Sequence, residues 1–120
     1  MSTVAVPVPP ANLLAADLRL RNRFASPPWT ADSPEWQLLD RKIPADHLAR
    51  RIDRAVARLD LTPLFDSYAG TGSKPHRPDL LLKIVLYELQ QGEPSPAQWA
   101  EDARWHEVVQ WLGCGIQPAR

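Results

Sequence analysis

The sequence predicts an all-α fold, a compact bundle of four to five short helices, and two observations carry this prediction. Residues 80–89 are apolar on almost every side and lie between Pro78 and Gly92. Such a pattern is typical of a central helix that packs on several faces. After the proline-rich residues 4–8, no segment alternates between apolar and polar side chains as a strand would, and proline excludes residues 4–8 from a central strand.

A capping box marks the start of the next helix. Ser95 is the expected N-cap, Pro96 occupies the first helical position and Gln98 follows three residues after the cap. This predicts a short, fixed corner, with Trp99, Ala100 and Ala103 packed onto the central helix. The full set of predicted helices comprises residues 12–24, 45–59 with a continuation over 62–68, 78–91, 96–103 and 105–112.

The last predicted helix has a buried stripe at helical spacing. Trp105, Val108, Val109 and Leu112 follow the i, i+3, i+4, i+7 pattern. Trp111 lies at the edge of this stripe, and we expect it to be partly exposed.

Two parts of the chain differ in composition. Residues 1–34 are broken repeatedly by proline and are predicted to be an extension outside the core, with one short helix at most. Residues 35–120 are predicted to form the helical domain. Trp29 and Trp36 are expected to pin the extension onto that domain.

Bulk properties fit one small domain. The chain has 120 residues, a size that supports a single core, and Cys114 is its only cysteine, which excludes an internal disulfide framework. No secretory signal or membrane-spanning run is found, so a cytoplasmic location is expected.

The whole-molecule charge gives no general attraction to DNA, because 14 basic side chains balance 14 acidic ones. A helical projection of residues 45–60 nevertheless places the arginines on one side of a helix and the apolar side chains on the opposite side. The apolar side is predicted to comprise Leu48, Ile52, Ala55, Val56 and Leu59. The side chains predicted to meet DNA phosphates are Lys42, Arg50, Arg51, Arg54 and Arg58.

Two other interpretations of these helices stay open. The basic stripe could be an ordinary solvated helix face with weak surface pairs. The corner near Gly92 could form a helix-turn-helix, but Glu101 and Asp102 make its second helix a poor match for a phosphate-lined groove.

The order of several short motifs resembles the helical N-terminal domain of insertion-sequence transposases of the DDE type, over about residues 36–120. The upstream part of the match is Leu39-Asp40-Arg41-Lys42-Ile43-Pro44-Ala45-Asp46-His47-Leu48 with Ile52-Asp53. The downstream part is His76-Arg77-Pro78-Asp79-Leu80-Leu81-Leu82-Lys83, Leu86-Tyr87, Gly92, Ser95, Trp111-Leu112-Gly113 and Pro118.

The resemblance implies DNA association, at transposon ends, without catalysis, because the metal-binding catalytic domain of such transposases is expected to follow the helical one. It further implies a truncated or split reading frame. Alternatives are a helical module that pairs with a transposase catalytic polypeptide or with itself, and a decayed fragment.

No residue pattern predicts a catalytic site, a metal site, a cofactor or a small-molecule ligand. The three histidines are scattered, and Cys114 and His106 lack the signature of a nucleophile pair. Residues 70–74 lack the full spacing of a phosphate-binding loop, which favours a linker.

Overall fold

The computed structural model describes residues 24–68 and 74–119, and these form helices without strands, as predicted. The six helices are α1 (Pro34–Lys42), α2 (Leu48–Ala57), α3 (Thr62–Asp66), α4 (Pro78–Gln90), α5 (Pro96–Trp105) and α6 (Glu107–Leu112). The predicted helix over residues 12–24 lies outside the described residues except for its last position. None of the helices in the described ranges has the length and apolar character that crossing a bilayer would require.

Helix α4 is the centre of the bundle, as its sequence predicted. It packs against α2, α5 and α6, while α6 also contacts α1. Its inner face buries Leu80, Ile84 and Tyr87, which are at most 5% exposed. The facing side chains of α6, Val109 and Leu112, are almost completely shielded from water.

The ends of α4 follow from its flanking residues. Pro78 stands in the first turn, where a missing N–H costs nothing, and Asp79 places a negative charge near the helix N-terminus. At the other end Gly92 has φ +82°, and the amides of Gly92 and Glu93 donate to the carbonyls of Leu89 and Glu88. This is a Schellman ending, which needs a residue tolerant of positive φ.

The corner between α4 and α5 forms as predicted, with one correction. The Ser95 hydroxyl accepts from the Gln98 amide at 3.4 Å, and Ala100 and Ala103 of α5 are buried. The capping box also predicts that the Gln98 side chain bonds back to the Ser95 amide. This part is wrong, because the Gln98 side chain donates to Asp102 instead. The Ser95 amide is satisfied by the Glu93 carboxylate at 3.0 Å.

The first helix of the domain was not predicted. Ser33 precedes α1, Pro34 is its first residue and Glu35 lies in its first turn. The expectation that the N-terminal extension stays outside the core is wrong for Phe24, which is 4% exposed and contacts the Phe65 ring edge to face. Trp29 packs against the core, as expected.

The positions of two tryptophans are opposite to the prediction. Trp105 is 72% exposed, whereas Trp111 is 4% exposed. The cause is a helix break at His106, which has extended backbone with φ −93° and ψ 117°. The break leaves Trp105 at the end of α5 and resets the register of α6, so that Trp111 faces inward.

Candidate nucleic-acid interface

Helix α2 presents one apolar and one basic face. His47 caps its N-terminus by accepting from the Ala49 amide at 3.0 Å. Ala49, Ile52 and Val56 are buried beneath it. The predicted apolar side is therefore confirmed for Ile52 and Val56, and for Leu48, which is half-buried and packs against the core. It is wrong for Ala55 and for Leu59, which are exposed.

For Leu59 the reason lies at the end of α2. The helix stops at Ala57, and Arg58 is its C-cap, so Leu59 no longer follows the helical projection and is 47% exposed. Ala49 instead completes the buried side with 0% exposure.

Three predicted DNA contacts share the outer face of α2. Arg51, Arg54 and Arg58 are exposed, and at 100° per residue they fall within a sector of about 60°. They point away from the buried side chains of the helix. We refer to Arg51, Arg54 and Arg58 as the α2 basic stripe.

The stripe is not neutralised by neighbouring carboxylates within the part of the chain that the structure describes. Asp53, on the same helix, forms an ion pair with Lys83 of α4 at 2.9 Å, which directs it toward the bundle. Among the described residues no ion pair involves Arg51, Arg54 or Arg58. The outer face of α2 is therefore a local concentration of positive charge on a chain of zero net charge.

Arg50 is placed differently from the stripe. Its guanidinium forms an ion pair with the Asp40 carboxylate at 2.9 Å and donates to the Asp40 carbonyl at 2.6 Å. It also donates to the carbonyls of Ile43, at 2.8 Å, and Pro44, at 3.1 Å. These carbonyls lie at or just beyond the C-terminal end of α1, where helix carbonyls lack internal partners. Arg50 therefore supplies hydrogen-bond donors to carbonyl groups at the C-terminal end of α1.

The same guanidinium lies over one of two stacked tryptophans. The Arg50 guanidinium carbon lies 5.0 Å from the centre of the Trp111 ring, which stacks on Trp36 with a centroid distance of 5.9 Å. The Trp111 indole donates to Asp40 at 3.1 Å, and the Trp36 indole donates to the Trp111 carbonyl at 3.3 Å. This set, the Arg50 cluster (Trp36, Asp40, Arg50 and Trp111), joins α1, α2 and α6.

Lys42 also lies apart from the stripe. Its ammonium forms an ion pair with Glu107 of α6 at 3.0 Å, and both side chains are more than half exposed. An exposed pair of this kind contributes little to stability and can exchange partners. The five predicted contacts thus divide into three on one helix face, one in the Arg50 cluster and one at the contact between α1 and α6.

The next question is whether the described residues include side chains that could bind a metal ion. They hold no group of three or more histidine, cysteine, aspartate or glutamate side chains that could bind a metal ion. Asp40, Asp53 and Asp79 are each engaged by a cationic side chain. Burial raises the pKa of the Cys114 thiol, which disfavours the reactive thiolate. In the residue 70–74 segment only Lys74 is described, so the linker stays a prediction.

The described residues form a small helical domain that carries a cationic face on α2. The sequence model of the family Transposase domain (DUF772) matches residues 37–120. The chain belongs to this transposase domain family, which confirms the resemblance inferred from the motifs. No curated protein and no solved structure shows significant similarity to the chain.

Proposed function

We propose that this chain associates with duplex DNA through the α2 basic stripe, as the DNA-binding helical domain of an insertion-sequence transposase. The observation that carries the proposal is the grouping of Arg51, Arg54 and Arg58 on one exposed face without internal ion pairs among the described residues. Membership of the transposase domain family supports DNA as the partner.

The dimensions of the stripe suit a phosphate backbone. Seven residues separate Arg51 from Arg58, which corresponds to about 10 Å along a helix. Phosphates on one DNA strand advance about 3.4 Å each along the duplex axis, so the stripe could meet about three of them. Such contacts position a protein on DNA without reading its sequence. We therefore assign the stripe a positioning role and expect weak sequence preference.

We propose that strand cleavage and transfer are not carried out by this domain. Two-metal phosphoryl transfer needs carboxylates that converge on ions about 4 Å apart. In the described ranges the aspartates of α1, α2 and α4 are instead paired with Arg50, Lys83 and Arg77. The domain would serve a catalytic polypeptide by holding DNA.

Fluorescence anisotropy with a labelled duplex, measured over a series of salt concentrations, tests the proposal. Three neutralised phosphates predict a slope of about −2.7 for log K against log salt, or roughly 40-fold weaker binding between 50 and 200 mM salt. The triple variant R51A/R54A/R58A should lose most of the affinity and nearly all of the slope.

The variant R104A is the matched control, since Arg104 is an exposed cation in the last turn of α5. It should bind as the unaltered chain does. Equal affinity and slope for the triple variant and the unaltered chain would contradict the proposal. A loss of slope in R104A of about one third of that in the triple variant would mean that only general charge matters.

A second candidate function is a helical module that pairs with a transposase catalytic polypeptide. The observation in its favour is Trp105, a large aromatic side chain that is 72% exposed and of the type enriched at protein interfaces. Co-purification of the chain with such a polypeptide in nuclease-treated buffer, lost on Trp105→Ala and retained in the triple arginine variant, would favour this function over DNA binding.

A further inference from the structure

Glu88 is the one buried carboxylate of the described residues with an oxygen that lacks a hydrogen-bonding partner. It lies in the last turn of α4, is 3% exposed, and its Oε2 has no donor among the described residues. An ionised carboxylate in such a position is costly unless a cation or a donor offsets the lost hydration. Glu88 therefore needs either a cationic partner or a proton.

The groups that face Glu88 do not supply a cation. Asp102 of α5 lies in hydrogen-bonding contact with it, and Glu93 of the connecting turn adds a second negative charge nearby. On its own helix the neighbour is Tyr87, whose ring lies 6.3 Å from that of His106. No ion pair joins Glu88 to a cation of the described residues.

Two carboxylates can form a hydrogen bond only if one of them carries a proton. Asp102 already accepts from the Gln98 side chain at 2.8 Å, and it is less buried than Glu88. We therefore place the shared proton on Glu88, the more buried of the two carboxyl groups. Burial, with the contact and charge of Asp102 as the next causes, raises the pKa of Glu88 to about 8.

We propose that protonated Glu88 donates to the Asp102 carboxylate and thereby fastens α5 to α4, and that ionisation of Glu88 at alkaline pH loosens this corner. The proposed hydrogen bond depends on the positions of the two residues at the corner between α4 and α5. The Glu88 carbonyl takes part in the Schellman ending of α4, and Asp102 lies one turn after Gln98 on α5. It is independent of the DNA-binding proposal.

The direction of the pH dependence follows from proton counting. An unfolded chain releases the Glu88 proton near its ordinary value of 4.5, whereas the folded chain keeps it to about 8. Between these values the folded state binds one proton more, so stability is full below the lower value and falls as pH rises through the interval. The unfolding constant should rise by up to about tenfold per pH unit over this interval and then level off.

Carbon-13 NMR titration of the side-chain carboxyls of the full chain tests the proposal directly. The Glu88 signal, identified by its absence in Glu88→Gln, should titrate with a midpoint near 8. Asp102→Asn should move that midpoint to lower pH, because it removes the neighbouring negative charge. Glu101→Gln, an exposed position on the same helix, should leave the midpoint where it was.

Urea unfolding at several pH values provides the second readout. Glu88→Gln should remove the part of the pH dependence that lies between about 5 and 8, because the glutamine amide donates to Asp102 at every pH. Glu101→Gln should retain it. A Glu88 midpoint near 4.5, or a midpoint that Asp102→Asn does not move, would overturn the proposal.

Discussion

Replacing Arg50 by alanine should destabilise the fold far more than replacing any arginine of the α2 basic stripe. The guanidinium is held by Asp40 and by three carbonyls, and it lies over the Trp111 ring. Hydrogen bonds that involve a charged group contribute about 1.5–3 kcal/mol each, and a cation–π contact contributes about 0.5–2 kcal/mol.

The side chain of Arg50 is 21% exposed, and the bonds share one guanidinium, so their contributions do not add in full. We therefore use the low ends of these ranges and expect the free energy of unfolding to fall by about 3 kcal/mol. This corresponds to a rise of roughly 150-fold in the unfolding constant. Arg50→Lys keeps the charge but loses the planar fork, and should cost about half as much.

Urea unfolding followed by tryptophan fluorescence measures these losses. Arg51→Ala is the matched control, because Arg51 is the adjacent exposed arginine on α2, and its cost should stay within about 0.5 kcal/mol. If Arg50→Ala were as stable as Arg51→Ala, the assignment of Arg50 to the fold would be refuted. Arg50 would then return to the candidates for DNA contact.

Two pairs of substitutions test the contact between Gly115 and Trp29 and the different burial of Trp105 and Trp111. Gly115 and Gly92 both have φ near +80°, but a Cβ on Gly115 would lie 2.8 Å from the Trp29 ring, whereas one on Gly92 meets nothing within 4 Å. Alanine should therefore cost about 1 kcal/mol at Gly92 from backbone strain and about 2–3 kcal/mol at Gly115, as measured by denaturant midpoints; equal costs would contradict the Trp29 contact. Trp111→Ala should cost about 3–5 kcal/mol and Trp105→Ala less than about 1 kcal/mol in the same assay, and the reverse order would contradict the helix break between them.

The fold was predictable where the chain carries explicit start and stop signals. Pro78 and Gly92 bounded the central helix to within one residue of its end, and Ser95 with Pro96 marked the start of α5. The same signature, a serine followed by proline, precedes α1 at Ser33. The many upstream prolines mask this signature, because they favour an irregular extension.

Other features depend on contacts that no local pattern specifies. The break at His106 involves neither glycine nor proline, so the apolar spacing predicts an uninterrupted helix over residues 105–112. That helix would bury Trp105 and leave Trp111 at the edge, the reverse of their positions in the structure. The role of Arg50 depends on carbonyls six to ten residues earlier in the chain. A helical projection places Arg50 beside the stripe, but a long side chain at the edge of a basic face can turn back toward the protein.

Chemical-shift mapping would locate the surface of the protein that contacts DNA. Backbone and arginine side-chain signals of the isotope-labelled full chain would be followed while an unlabelled duplex is added at low salt. We predict the largest shifts at Arg51, Arg54 and Arg58, with little change at the Arg50 side chain. Shifts centred on the first turn of α5, or no shifts on α2 despite binding, would contradict this prediction.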